Sequence, residues 1–512
     1  MLKVSKSCFA ISMVLFLMVS IISINVQAQV DYDGSIPKYV FMFIGDGMSS
    51  SQVIAAEMYL GNKKNSEAIE TSRLNFSNFP VTGQSQTYDA TSFIPDSAST
   101  ATSLASGIKT LSGVINMKVN KTDKVIPITE DLKKRGYKIG VISSVPINHA
   151  TPAAYYAKIS SRNNYYEIGK QLVESGFDYF GGGDFNHPKG SNGDQKHIYD
   201  IAQDHGYQIA NTKEDILNLN SKSGKTIAIN STLDGTAMDF ELDRTPDELA
   251  LADFVRKGID VLDNSRGYFM MVESGKIDWA GHANNAAASI HDTIAFADAI
   301  DEALKVYNKY PEDTLIVITG DHECGGMSVG FAGTGYSTFF NAIDNVSMSH
   351  VGFNKIFSEY KDKTDSSKAK LEHLLPQIRI AYGLVTPSDS NADSYPEGVL
   401  TNSEISRLRA ALKQSMIPSN ERNYTDREKI MYGGYEPLTI TLTHIANNKA
   451  GLNYSSFSHT GVPVPVYALG SGAESFNGFY DNTDVYHKLC SIMGIESLNN
   501  TSSSNEKVAV NN

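Results

Sequence analysis

Leu315-Ile316-Val317-Ile318-Thr319-Gly320-Asp321-His322 decides the fold. Its first five residues are rich in β-branched side chains and show no alternation of polar and apolar positions. That suits a strand buried on both faces. Glycine ends the run, and two ionisable residues follow at once. Three other stretches share this plan. Lys38-Tyr39-Val40-Phe41-Met42-Phe43-Ile44 runs into Gly45-Asp46-Gly47. Tyr137-Lys138-Ile139-Gly140-Val141-Ile142 stops at Ser143-Ser144, and Tyr268-Phe269-Met270-Met271-Val272 stops at Glu273-Ser274-Gly275. Val464-Pro465-Val466-Tyr467-Ala468-Leu469 is a weaker candidate, because proline cannot donate to a ladder. Helical patterns separate the runs, Thr245–Asn264 and Asn285–Tyr307 among them. Short apolar strands alternating with helices predict an α/β fold in three layers: a large, mostly parallel sheet with helices on both faces.

Residues from about 335 to 450 break this rhythm. They are polar, read as helix over Ser403–Ser415 and Thr425–Tyr432, and are interrupted at Pro387-Ser388-Asp389-Ser390-Asn391. We read them as a cap- or crown-like insertion over the sheet, not a separate domain. Asp389-Ser390-Asn391-Ala392-Asp393 opens like a calcium loop but lacks the central glycine and the closing acid, so a turn is expected.

The two ends of the 512-residue chain differ from the rest. Lys3 and Lys6 precede an apolar run from about Cys8 to Ile24, and Val26-Gln27-Ala28 follows. This is the order of a secretory signal peptide; an uncleaved anchor is the alternative. The expected organisation is a signal peptide over 1–28, one domain over 29–498 and a disordered tail over 499–512. Export to the periplasm or medium follows, with no stable membrane anchor. Losing residues 1–28 removes two lysines and no acid, so a net charge of −13 becomes more negative still. That balance excludes a general nucleic-acid binder, which needs a basic face. It permits a phosphate site, because bound cations reverse the local sign. Cys324 and Cys490 remain in the mature chain and are expected to stay unpaired.

Asp46, Glu273, Asp321 and His322 all stand at or just past the ends of apolar runs. Ligands of open α/β sheets bind in the crevice beyond those ends. Asp278 and His282 lie one helical turn apart and share a face. A carboxylate with an imidazole suits zinc, and Glu273 suits a harder ion. Acids capping a helix start explain the same residues. Asp321-His322 fits either a pair of ligands or an ordinary strand-ending turn. So does Asp46 between its glycines. His459 in His459-Thr460-Gly461 offers a further imidazole. Ser97, in Pro95-Asp96-Ser97-Ala98, would begin a helix of small residues, where free N–H groups and the dipole favour an anion. By composition alone, an N-cap at Asp96 or Ser97 is the better account of this stretch. No base adjoins Ser97, so activation would need a metal ion. Arg162, after Asn148-His149-Ala150-Thr151-Pro152, could fork onto two phosphate oxygens or lie solvated on the surface.

The joint order of these motifs closely resembles the alkaline phosphatase family from Lys38 to about Leu489. The resemblance rests on Gly45-Asp46-Gly47, Asp96-Ser97-Ala98, Ala150-Thr151-Pro152-Ala153-Ala154 with Arg162, Glu273 with Asp278 and His282, Asp321-His322, and His459-Thr460-Gly461. It implies a homodimeric hydrolase of small-molecule phosphate monoesters that works through a phosphoserine at Ser97. It also implies two zinc ions and one magnesium ion. Asp278, His282 and His459 resemble the ligands of the first zinc. Asp46, Asp321, His322 and Ser97 resemble those of the second, and Asp46, Thr151 and Glu273 those of magnesium. Arg162 resembles the phosphate clamp.

His149 and Trp279 stand where the best-known bacterial members carry an aspartate near magnesium and a lysine near phosphate. They resemble another branch of the family. Cys324 stands where many relatives place a second histidine, and a core thiol is expected there. His291 and Asp292 are read as structural. A sulfatase would need a Cys-x-Pro-x-Arg-like context, which Asp96-Ser97-Ala98-Ser99 lacks. A phosphodiesterase is disfavoured by Thr151 and Glu273. A non-catalytic phosphate or metal binder would leave Ser97 and the paired metal sets without a use.

Overall fold

A computed structural model describes residues 34–66, 69–496 and 499. The expected signal peptide and nearly all of the expected tail lie outside the described residues. Asn499 is the exception: its amide donates to the carbonyls of Ser106 (2.8 Å) and Ile126 (3.0 Å).

Fourteen strands are described. In chain order they are β1 (Tyr39–Gly45), β2 (Val81–Gln86), β3 (Lys138–Ser143), β4 (Tyr179–Gly182), β5 (Gln208–Ala210), β6 (Thr226–Ile229), β7 (Tyr268–Ser274), β8 (Thr314–Gly320), β9 (Glu323–Cys324), β10 (Ser328–Val329), β11 (Leu452–Asn453), β12 (His459–Thr460), β13 (Val464–Gly470) and β14 (Gly478–Asp481). Ten form one sheet in the order β14-β2-β13-β8-β1-β7-β3-β4-β6-β5. All its pairings are parallel except those of β13, which runs antiparallel to both β8 and β2. The expected α/β architecture with a mostly parallel sheet is therefore what the chain adopts.

Alternation along β1 shows why its run is apolar throughout. Phe41 and Phe43 enter one core with Met270, Val272, Ile316 and Ile318. Val40, Met42 and Ile44 enter the opposite core with Phe269, Met271, Leu315 and Val317. Both faces are covered by helices, so Val40 to Gly45 are buried and Tyr39, at the strand's start, is partly exposed. The helix Ala286–Lys309 and the helix Leu251–Leu262 cover the first face; Ser97–Ser106 and Asn482–Ile492 cover the second.

Register places the chemistry. Tyr39 of β1 faces Tyr268 of β7 and Thr314 of β8, and Gly45 faces Ser274 and Gly320. The three central strands therefore end at one level. β3 joins them, with Ser143 opposite Glu273. Because β13 is antiparallel, its start lies at the same edge as the ends of the others. His459, which precedes a strand, thereby joins residues that follow strands.

The region from 335 to 450 is helical at Asn341–Asp344, His350–Lys363, Leu375–Tyr382, Asn402–Ser415, Asp426–Tyr432 and Pro437–Ala450. Phe340, Phe353, Leu408, Leu442 and Ile445 from this region share the core that holds Phe41 and Phe43. Its apolar contacts are thus continuous with one face of the sheet. Asp389 is tied to Arg379 at 3.1 Å and accepts from the Asn391 amide. Cys324 and Cys490 are buried free thiols.

Candidate active site and metal centres

Two groups of ligand atoms converge at the C-terminal edge of the central strands: Asp278, His282, Cys324 and His459, and Asp46, Asp321 and His322, each with its atoms within 4.8 Å of one another. Local backbone explains the convergence. Asp278 and His282 project from the helix Lys276–His282, which begins directly after β7. β12 pairs with β9, so His459 lies opposite Cys324. A side-chain carbon on Gly47 would lie 2.8 Å from both Asp278 Cα and Cys324 Cβ, so only glycine lets the turn after β1 press this close.

Spacing within each group fits a tetrahedral cation. Bonds of about 2.0–2.1 Å to nitrogen and oxygen put neighbouring ligand atoms about 3.3 Å apart. In the first group, His282 Nε2 lies 3.4 Å from Asp278 Oδ2, His459 Nε2 lies 3.4 Å from Asp278 Oδ1, and the two Nε2 atoms are 3.0 Å apart. In the second, His322 Nε2 lies 3.4 Å from Asp46 Oδ1, 3.3 Å from Asp321 Oδ2 and 3.2 Å from Ser97 Oγ. Tautomers fit as well. His282 Nδ1 donates to the Phe457 carbonyl and His459 Nδ1 to the Pro95 carbonyl, both at 2.7 Å. Each ring thus turns Nε2 inward, the arrangement expected of ligating imidazoles. Asp46 Oδ1, Asp278 Oδ1 and Glu273 Oε1 are buried and accept no hydrogen bond. Buried carboxylate oxygens without donors call for cations.

A third group adjoins the second. Thr151 Oγ1 donates to Asp46 Oδ2 at 3.2 Å, and Ser143 Oγ donates to Glu273 Oε2. Asp46 therefore stands between the second group and the Thr151–Glu273 pair.

Ser97 opens its helix as expected, and Asp96 is the N-cap, accepting from the Ser99 amide at 3.0 Å. The cap and the candidate nucleophile are therefore neighbours, so the cap at Asp96 leaves the Ser97 hydroxyl free of that role. Arg162 donates to Asp96 Oδ2 at 2.9 Å and its other terminal nitrogen lies 3.3 Å from His149 Nε2. His149 meets Trp279 edge-on, with ring centres 6.1 Å apart. Arg162 is thus fixed beside Ser97, not solvated on the surface.

Electrostatics follow from crowding acids in a buried site. Burial, then the charges of Asp321, Asp278 and Glu273, push the Asp46 carboxyl well up. Burial raises Glu273 to about 7 against the pull of the Ser143 hydroxyl. Burial and then Asp278 raise Asp321 to about 6. Burial would raise Asp278 too, but the imidazoles of His282 and His459 hold it far below the usual carboxylate range. Burial would lower His459, yet the Asp278 carboxylate 3.4 Å away raises it to about 9. Burial and then the Arg162 charge push His149 down to about 3, so it stays neutral.

Several supporting residues escaped sequence reasoning. Thr100 Oγ1 donates to Asp321 Oδ2 at 3.0 Å; its position one helical turn after Ser97 was the available signal. Glu323 accepts from Gln52 at 3.0 Å and from Thr460, and so ties down the pair that carries His459. Lys276 is buried with Nζ 3.9 Å from the Phe240 ring centre and 4.9 Å from that of Trp279. Nothing local in the sequence marks it. Cys324, expected as a core thiol, is buried but sits within the first ligand group.

Comparison with known proteins identifies the family. The family model described as alkaline phosphatase matches residues 37–495. Alkaline phosphatase 3 of Bacillus subtilis (strain 168) is 26% identical over 461 residues, covering 88% of this chain and 87% of its own. Alkaline phosphatase 4 of the same organism is 27% identical over 454 residues, covering 87% and 86%. The crystal structure of a cold-active alkaline phosphatase from the psychrophile Shewanella sp. superposes with a TM-score of 0.72 at 25% identity, covering 89% of this chain and 99% of that one. The chain belongs to the alkaline phosphatase family, a class of phosphomonoester hydrolases. Among the described residues, no helix is long and apolar enough to cross a membrane.

Proposed function

We propose that the chain hydrolyses phosphate monoesters through a phosphoserine at Ser97, with two zinc ions and one magnesium ion. Asp278, His282 and His459 would hold the first zinc, and Asp46, Asp321 and His322 the second, beside Ser97. Asp46, Thr151 and Glu273 would hold magnesium. The observation that carries this reading is the set of inward-facing Nε2 atoms and unpartnered carboxylate oxygens around Ser97 Oγ. When bound, the ions neutralise the phosphate dianion and lower the pKa of the attacking hydroxyl and water.

The chain's own groups do the rest. Arg162, held by Asp96 and His149, donates to the equatorial phosphate oxygens where charge accumulates. The free amides at the start of the Ser97 helix add donors. Ser97 Oγ gives up its proton and attacks phosphorus in line, while the bond to the alcohol oxygen breaks and that oxygen is protonated. Water then attacks the phosphoserine from the vacated side, the Oγ–P bond breaks, and Ser97 regains its proton. Recognition falls on the phosphoryl group, so a broad range of alcohols is accepted. We also take residues 1–28 as a signal peptide, the enzyme as periplasmic or secreted, and the active form as a homodimer. The resemblance of His149 and Trp279 to one branch of the family is part of this reading.

The test is hydrolysis of p-nitrophenyl phosphate at alkaline pH with zinc and magnesium supplied, wild type beside Ser97→Ala. Turnover abolished by EDTA and largely lost in Ser97→Ala is expected. Acid quenching with labelled phosphate should label the wild type only. A fully metallated wild type without turnover would direct attention to diesters, sulfate esters or plain binding.

A further inference from the structure

Cys324 is the one member of the two ligand groups that the family resemblance does not assign to a metal. Its setting is unlike that of an ordinary core thiol. It lies directly opposite His459 in the short antiparallel pair of β9 and β12. Opposed residues of such a pair present their side chains on one face, with Cβ atoms about 4.5–5.5 Å apart. The sulfur accordingly falls in one group with Asp278, His282 and His459. Its backbone is held on two sides: the amide donates to the Gly47 carbonyl at 3.1 Å, and the carbonyl accepts from Gln52 Nε2 at 3.3 Å. A side-chain carbon on Gly281 would stand 3.0 Å from the sulfur, so glycine at that helix position leaves the space the thiol occupies. Asp278, 4% exposed, turns an unpartnered Oδ1 into the same group.

We propose that Cys324 Sγ is a fourth protein ligand of the first metal centre, binding zinc as a thiolate beside Asp278, His282 and His459. This rests on reading that group as a zinc site. Ligation releases the thiol proton to solvent. With Asp278 and the thiolate, the protein's charge at the site balances that of the ion. A soft sulfur donor favours zinc over magnesium or manganese at this position, whereas the oxygen-rich third group keeps its preference for a hard ion. Catalytic zinc sites can expand to five ligands, so the sulfur leaves room for a phosphate oxygen.

The test is X-ray absorption at the zinc edge on the full mature chain loaded with zinc, wild type beside Cys324→Ser. A sulfur shell at about 2.3 Å is expected in the wild type, alongside nitrogen and oxygen at about 2.0–2.1 Å. With two zinc ions bound, its amplitude corresponds to one sulfur shared between them. Cys324→Ser removes that shell, and one of its two zinc ions is captured by a competing chelator at least about tenfold more readily. Zinc surrounded by nitrogen and oxygen alone in the wild type overturns the proposal and leaves the zinc site standing. A chain that binds no zinc overturns both. The wild-type spectrum decides even if the variant fails to fold.

Discussion

At the scale of single residues, Trp279 offers the sharpest prediction. It contacts His149, which in turn contacts Arg162, so its indole borders the place assigned to phosphate. A lysine there would add an ammonium near a dianion. The buried Lys276 ammonium, 4.9 Å from the Trp279 ring centre, repels an inward-turned lysine and leaves it facing phosphate. Trp279→Lys should therefore tighten product inhibition, lowering the inhibition constant of phosphate about two- to fivefold, the value of a partly exposed charge pair. An unchanged constant sinks the idea that Trp279 loosens the grip on product. Asp46, Glu273, Asp321 and His322 stood out as candidates in the sequence because they lie at or just past apolar strands, whereas Asp278 and His282 were picked out by sharing a helical face. The Thr100–Asp321 and Glu323–Gln52 contacts were not legible, since their partners lie far along the chain, and the burial of Lys276 against Phe240 and Trp279 has no local pattern to mark it. Thr100 meets Asp321 across 221 residues, and Glu323 meets Gln52 across 271. Cys324 was visible as a departure from a motif, but its neighbour His459 is set by a strand pairing that the sequence does not declare.

At the scale of elements, strands were easier to read than helix starts. Thr245-Pro246-Asp247-Glu248 has the look of a capped helix beginning, and the expected helix ran from Thr245 to Asn264. The chain instead spends that signal on a turn, with Glu248 accepting from the Thr245 amide, and starts the helix at Leu251. There Asp253 accepts from the Ala250 amide at 2.9 Å. Two capping candidates competed, and the one nearer the apolar stripe won. The prolines that weakened the case for β13 are accommodated at its start, where Pro465 precedes the first residue paired with β8. The strand's direction was not legible, because it depends on where the long helical region returns the chain. The Ser97 helix carries the second prediction. All ten of its residues are buried, and it ends at Gly107, whose φ is 69°. A side-chain carbon on Gly107 would lie 2.3 Å from Tyr486, whereas one on Gly113, at φ 79°, meets nothing within 4 Å. Both Ala variants bear the left-handed strain, but only Gly107→Ala also overpacks, which costs about 1–3 kcal/mol more. Thermal unfolding should show the larger loss in Gly107→Ala, together with reduced turnover as Ser97 shifts. Equal losses would mean that packing against Tyr486 does not position the helix.

At the scale of the whole molecule, the fold gathers four buried acids at the ends of three strands and leaves their charge to be balanced by bound cations. Protons compete for the same oxygens and nitrogens, so metal affinity must depend on pH in a definable direction. Before metal binds, His459 holds a proton up to about 9, Glu273 up to about 7 and Asp321 up to about 6, while burial also holds the Asp46 carboxyl and the Cys324 thiol protonated well above their usual ranges. Each proton must leave for the ion to enter. Apparent affinity therefore falls below about pH 9 at the first centre, below about 7 at the third and below about 6 at the second, by about tenfold per pH unit for each proton displaced. Stability follows through linkage. Glu273 and Asp321 have folded values above their unfolded ones, so in the stripped protein they favour folding less as pH rises through about 4 to 7. In the loaded protein the ions replace those protons, and binding at 100 times the dissociation constant adds about 2.7 kcal/mol. The gap between loaded and EDTA-treated melting temperatures should accordingly be small near pH 5.5 and widen towards pH 9, with bound zinc, measured after dialysis at each pH, rising in parallel. A gap that stays constant across this range would mean that the buried acids keep their partners without metal, and the cation-balanced site described here would have to be abandoned.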